Sequence, residues 1–189
     1  SIADSCNNVS SCTQVFTVND NVAPIITCPA GTTVQCFGNL PASYTTLIQF
    51  TAAGGTASDN CGLVAGSFTL VSQTSTGVCP RTVTRTYSIA DSCGNVSSCA
   101  QVFTVNDNIL PTISCPIGTT VECFGNLPVA YTTLVQFTAA GGSASDNCGL
   151  VAGSFTLVSQ TSTGVCPRTV TRPYSIADSF GNVSSCAQV

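Results

Sequence analysis

A chain of 189 residues with four arginines, eight acids and no lysine or histidine carries a formal charge of −4, while 43% of its residues are hydrophobic. That balance excludes a disordered chain, and the absence of a basic stripe excludes nucleic acid as a partner. With no histidine or lysine and no evident pair of acids in an apolar setting, the sequence also speaks against an enzyme.

The chain repeats itself at an interval of 87 residues. Ser1-Ile-Ala-Asp-Ser-Cys6 returns from Ser88, and again from Ser175 with Phe180 in place of the cysteine. Residues 1–102 laid over 88–189 differ at 14 positions, most of them mild exchanges such as Val22 for Ile109. The interval is too long for a solenoid unit and suits a small self-contained domain. We read 1–21 as the final strand and linker of a preceding repeat, 22–108 as one repeat, and 109–189 as a second repeat truncated in its last strand.

Val15-Phe-Thr-Val18 opens the chain order as a predicted strand, and Gln101-Val-Phe-Thr-Val105 is its later copy; both are rich in β-branched and aromatic residues. Asn-Asp-Asn and a proline, Pro24 or Pro111, follow each of them as a linker. Pro24–Cys28 and Thr32–Cys36 are the opening strands. Between Asn39 and Gly55, apolar Tyr44, Leu47, Ile48 and Ala52 keep helical spacing, with Pro41 suited to the start and Gly54 to the end. A strand is predicted over Ser67–Ser75. The longest is expected over Arg81–Ala90, with Val83, Arg85, Tyr87 and Ile89 sharing one face. A tight turn at Cys93-Gly-Asn leads into the last strand. The fold class is all-β: tandem immunoglobulin-like β-sandwiches, each with one short helix and stapled by disulfides. No membrane span is visible.

Thirteen cysteines recur in phase. Cys28, Cys36, Cys61, Cys79, Cys93 and Cys99 map onto Cys115, Cys123, Cys148, Cys166, Phe180 and Cys186. Zinc is disfavoured because CxxC pairs and histidines are missing. Disulfides, each contributing roughly 2–4 kcal/mol, supplement the modest core of so small a domain. They require an oxidising compartment, so the expected location is extracellular, on a cell surface. Six cysteines allow 15 pairings, and the residues alone select none of them.

The acids offer little chemistry. Asp59, Asp91 and Asp107 recur with Asp4, Asp20, Asp146 and Asp178. No cofactor is expected; Asp20 and Asp107, in the Asn-Asp-Asn linkers, are weak calcium candidates. Arg85 is expected to reach an acid such as Asp91 in a structural ion pair. Asn8, Asn95 and Asn182, each followed by Val-Ser, match the N-glycosylation acceptor pattern.

Several motifs occur in order along the repeat: Ile26-Thr-Cys-Pro29, Ser58-Asp-Asn-Cys-Gly62, Thr84-Arg-Thr-Tyr-Ser-Ile-Ala-Asp-Ser-Cys-Gly-Asn95, Ser98-Cys-Ala-Gln101 and Val105-Asn-Asp-Asn108. Together they resemble the HYR-like (hyalin-repeat) domains strung in tandem in giant surface proteins of Bacteroidota. Phe180 and Pro173 depart from the pattern. The resemblance implies an immunoglobulin-like sandwich in secreted adhesins or cell-surface filaments. It also implies pairing of Cys28 with Cys99, Cys36 with Cys61 and Cys79 with Cys93, repeated as Cys115 with Cys186 and Cys123 with Cys148. Cys6, Cys12 and Cys166 are then free or inter-chain thiols, Cys166 meeting Cys6 of another chain in the sharper version. A local scheme, Cys28 with Cys36 and Cys93 with Cys99, stays open and leaves Cys186 alone.

The leading expectation is a non-catalytic structural repeat of an extracellular filament, stalk or adhesin, partnered by copies of itself in a linear assembly. One alternative is a module that binds carbohydrate or protein on surface glycans or other cells by avidity, with Phe37, Tyr44, Phe124 and Tyr131 as its aromatics. Another is a pilin-like subunit polymerising by strand donation, in which residues 1–20 leave their own chain.

Overall fold

The computed structural model describes residues 1–189. A small hairpin of β1 (Ile2–Ala3) and β2 (Val9–Ser10) leads into irregular chain up to the first repeat. That repeat comprises β3 (Ile25–Thr27), β4 (Thr33–Val34), α1 (Leu47–Ala52), β5 (Thr56–Ser58), β6 (Leu63–Thr76), β7 (Arg81–Asp91) and β8 (Val96–Val105). The second comprises β9 (Thr112–Ser114), α2 (Leu134–Ala139), β10 (Ser143–Ser145), β11 (Leu150–Leu157), β12 (Thr161–Thr163), β13 (Thr169–Asp178) and β14 (Val183–Gln188). The chain is all-β and sandwich-like, with one α-helix in each repeat.

Strict alternation along β7 organises each unit. Val83, Arg85, Tyr87, Ile89 and Asp91 are buried, and the residues between them are half-buried, as in a strand whose second face is partly covered. β7 sits between β6 and β8 in a sheet ordered β4-β8-β7-β6, with β4 parallel to β8 and the other pairs antiparallel. β3 and β5 form a second, two-stranded sheet. The Cys28–Cys99 disulfide ties the end of β3 to β8 and thereby joins the two sheets. β6 is the longest strand, overtaking β7 because it continues past two bulges to Thr76.

Phe50, Phe68, Tyr87 and Ile89 make the main core, and Tyr44 closes it from the loop before α1. Ring centroids stand 4.9 Å apart for Phe50 and Phe68 and 5.6 Å for Phe68 and Tyr87, the latter stacked. The Tyr87 hydroxyl accepts the Tyr44 backbone N–H at 3.3 Å, so the buried phenol keeps a partner. Helix α1 starts after Thr46, whose Oγ1 accepts the Gln49 N–H at 3.3 Å, and not near Pro41. Of its six residues Ile48, Gln49, Thr51 and Ala52 are exposed. Phe50 enters the core while Ile48, expected inside, is 80% exposed. Gly55 lies so close to the Phe50 ring that a Cβ there would fall 2.4 Å from it.

A second cluster of Val83, Phe103 and Val105 fills the other half of the first unit, with Val34 and Leu40 against it. The second unit differs at this place. β14 is paired to β13 through Gln188, and Val121, Leu127 and Val170 line an open cavity of about 400 Å³. Thr120-Val121, the counterpart of β4, has no strand to pair with and is not extended into a ladder. For the same reason Val15–Val18 is no strand: no neighbour supplies hydrogen bonds, and Val15, Phe16 and Val18 are 81%, 77% and 87% exposed.

Candidate functional site at the junction of the repeats

The length of the central strand decides which cysteines can meet. Eleven residues of β7 span roughly 33 Å between its ends. Cys79 precedes this strand and Cys93 follows it, so the pairing of Cys79 with Cys93 is not formed; both thiols are free and exposed. Cys36 follows β4 at the Val105 end of the sheet, whereas Cys61 precedes β6 at the Asp91 end. A bond between Cys36 and Cys61 within one unit is therefore also out of reach. Cys36 instead bonds Cys148 of the second unit, 112 residues on, with Cα atoms 5.2 Å apart. That bond also replaces the pairing of Cys123 with Cys148 and leaves Cys123 free. Cys28–Cys99 and Cys115–Cys186 are the intra-unit disulfides, and neither bond of the local scheme is present. Cys6, Cys12, Cys61 and Cys166 complete the set of exposed thiols.

Around the Cys36–Cys148 bond the linker is gripped from both sides. Asp107 Oδ1 accepts the Ile109 N–H at 3.1 Å and the Asn147 side-chain amide at 3.2 Å, while its backbone carbonyl accepts Asn182 Nδ2 at 3.1 Å. From the first unit, Gln35 Oε1 accepts the Asn108 N–H at 3.1 Å. Asn182 is held by the turn after β13: Asp178 accepts its backbone N–H at 2.9 Å and its side-chain amide at 2.7 Å. The same turn aims Phe180 across the junction onto the Val83–Phe103–Val105 cluster. The residue that stands in place of a cysteine is thus an apolar plug between units.

This geometry bears on the glycan acceptors. Asn95 Nδ2 donates to Asp91 Oδ2 at 2.7 Å and to the Asp20 carbonyl at 3.1 Å, and Asn182 is engaged in the same way. The side-chain amides of Asn95 and Asn182, expected as glycan acceptors, are thus engaged by backbone carbonyls and by Asp91 and Asp178. Asn8 sits on the exposed leading hairpin, its amide bonded to Asp4 at 2.7 Å.

The outer end of the first unit carries the same acidic arrangement. Asp20 Oδ1 accepts the Val22 N–H at 3.0 Å and Asn60 Nδ2 at 3.3 Å. One oxygen each from Asp20, Asp59 and Asp91 lies within 4.8 Å of the other two. Asp20 Oδ2 and Asp59 Oδ2 are sealed from solvent without a hydrogen-bond donor. Val22 N–H donation holds the Asp20 carboxyl below its usual 3.8 against the opposing effect of burial. Burial raises that of Asp91, yet the Asn95 and Cys93 donors more than offset it and leave it lowered. The neighbouring Asp20 carboxylate, reinforced by burial, pushes the Cys61 thiol up. At the junction, Asp107 Oδ2 and Asp146 Oδ1 are likewise buried and without a donor, and they group with Cys148, whose sulfur is committed to the disulfide. Asp20 and Asp107 thus sit where a cation could be held; Asp59, Asp91 and Asp146 complete the arrangement, and sequence reasoning did not assign them to it. The signal for Asp59 and Asp146 is the recurrence of Ser-Asp-Asn-Cys.

No arginine approaches these acids. Arg85 donates to Gln73 Oε1 at 2.7 Å and stands 5.1 Å over the Phe103 ring, so the expected ion pair with Asp91 is replaced by a hydrogen bond and a cation–π contact. Tyr44 and Tyr131 pack in the cores, while Phe37 and Phe124 lie partly exposed beneath Arg81 and Arg168. No helix is long and apolar enough to cross a membrane. No protein-family model matches the chain, and no curated protein does.

Proposed function

We propose that this chain is a non-catalytic structural segment of an extracellular filament or stalk of HYR-like type, whose units are joined covalently end to end. The single observation that carries this reading is the Cys36–Cys148 disulfide, which joins two units and closes neither. Both halves of that junction exist again, unmatched. Cys61 stands beside Asp20, Asn60 and Asn95 at one end, and Cys123 follows Glu122 at the other, in the place Cys36 holds after Gln35. Each free thiol has the register of the other's mate. Three disulfides fit an oxidising, extracellular setting.

Disulfide mapping of the native assembly by mass spectrometry tests the reading. Cys61 and Cys123 are each expected in a disulfide-linked peptide, Cys61 with a partner in the register of Cys36 and Cys123 with one in the register of Cys148; Thr56 in place of Ser143 and Glu122 in place of Gln35 distinguish these from the Cys36–Cys148 peptide. Quantitative alkylation of both thiols in the native assembly overturns the proposal.

A further inference from the structure

We propose that Asp20, Asp59 and Asp91 form a binding site for a hard divalent cation, calcium by its ligand chemistry, and that Asp107 and Asp146 begin the corresponding site at the junction of the repeats. The inference does not depend on the filament reading. It starts from charge: three carboxylates offer oxygens within 4.8 Å of one another, and the four arginines of the chain lie elsewhere, three of them over aromatic rings and Arg172 on Gln160 and the Pro128 carbonyl. Like charges that close oppose one another unless a cation intervenes.

The second support is the state of individual oxygens. Asp20 is 9% exposed; its Oδ1 is taken up by Val22 and Asn60, and Oδ2 is buried with no donor. Asp59 repeats this, with Oδ1 on the Cys61 N–H at 2.8 Å and Oδ2 buried without a donor. At the junction, Asp107 is 3% exposed with Oδ2 equally unpartnered, and Asp146 uses Oδ2 on the Cys148 N–H at 2.7 Å while Oδ1 has no partner. Buried carboxylate oxygens without hydrogen bonds are uncommon, and here they recur at matching positions of two repeats. The outer group is three carboxylates, with the free Cys61 thiol beside Asp20 but outside the group, and at the junction the nearby sulfur is oxidised; with no histidine in the chain, a donor set of oxygens favours calcium or magnesium over zinc or copper. Ligands from the linker, the loop before β6 and the end of β7 give the ion the task of fixing linker to domain.

Calorimetric titration of the oxidised full chain with calcium chloride, magnesium chloride as comparison, is paired with thermal unfolding in calcium and in chelator. Calcium at tenfold its Kd is expected to raise the unfolding midpoint by about 3 °C. In the double variant Asp59→Asn, Asp146→Asn, the side-chain oxygen that receives the backbone N–H is kept, calcium affinity falls at least about tenfold, and the calcium-dependent shift disappears. In chelator the same variant unfolds at or above the wild-type temperature, because carboxylate repulsion is relieved. Asp4→Asn, on the exposed hairpin, leaves calcium binding unchanged. No calcium-dependent shift in the wild type, an equal shift in the double variant, or a double variant that unfolds lower in chelator each overturns the site.

Discussion

At the residue scale, one exchange distinguishes the two repeats where they meet. Phe180 stands where Cys93 stands in the first unit, and it buries part of its ring against Val83, Phe103 and Val105 across the junction. Truncation by Phe180→Ala removes this half-buried ring from the second cluster of the first unit and leaves the main core of each unit in place. It is expected to cost about 1–2 kcal/mol at the junction, read as earlier unfolding of the first unit by hydrogen exchange with the Cys28–Cys99 bond intact. An unchanged exchange pattern refutes the plug. The identity of this residue was plain in the sequence, but its meaning was not, because a missing cysteine reads as a loss until the surface it faces is known. The expected pairing of Cys36 with Cys61 failed for a related reason. In a chain that repeats every 87 residues, Cys61 and Cys148 are the same position one repeat apart, so motif order alone cannot say which of them Cys36 meets. The length of β7 answers the question, since it places Cys36 and Cys61 at opposite ends of a unit.

Among the elements, the alternation along β7 was legible from the first reading because burial on a sheet follows a period of two. Val83, Arg85, Tyr87 and Ile89 are indeed the buried set. Helix α1 was legible in kind and misplaced in extent: helical spacing in the sequence continued into a loop, while the Thr46 cap fixes where the backbone turns. Val15–Val18 shows the limit of propensity, for a β-rich run makes no strand until another strand is beside it. Its counterpart in β8 lies between β7 and β4 and carries Phe103 and Val105 inward.

For the whole molecule, the arrangement of covalent bonds matters more than any pocket. The Cys28–Cys99 and Cys115–Cys186 bonds each enclose 71 residues of sequence separation, and Cys36–Cys148 binds the two enclosures together. A pull applied through the chain passes from Cys28 to Cys99 across sulfur, along the linker to Cys115, and across sulfur again to Cys186. Unfolding both units under load would therefore release only the linker, roughly 55 Å at full extension, where the reduced chain between the same cysteines yields roughly 550 Å. The Cys36–Cys148 rung adds a second covalent route between the two enclosures that does not pass along the linker. Single-molecule extension before and after reduction reads the difference directly. A segment built this way behaves under tension as a cable of nearly fixed length, and it stays continuous after every strand in it has let go.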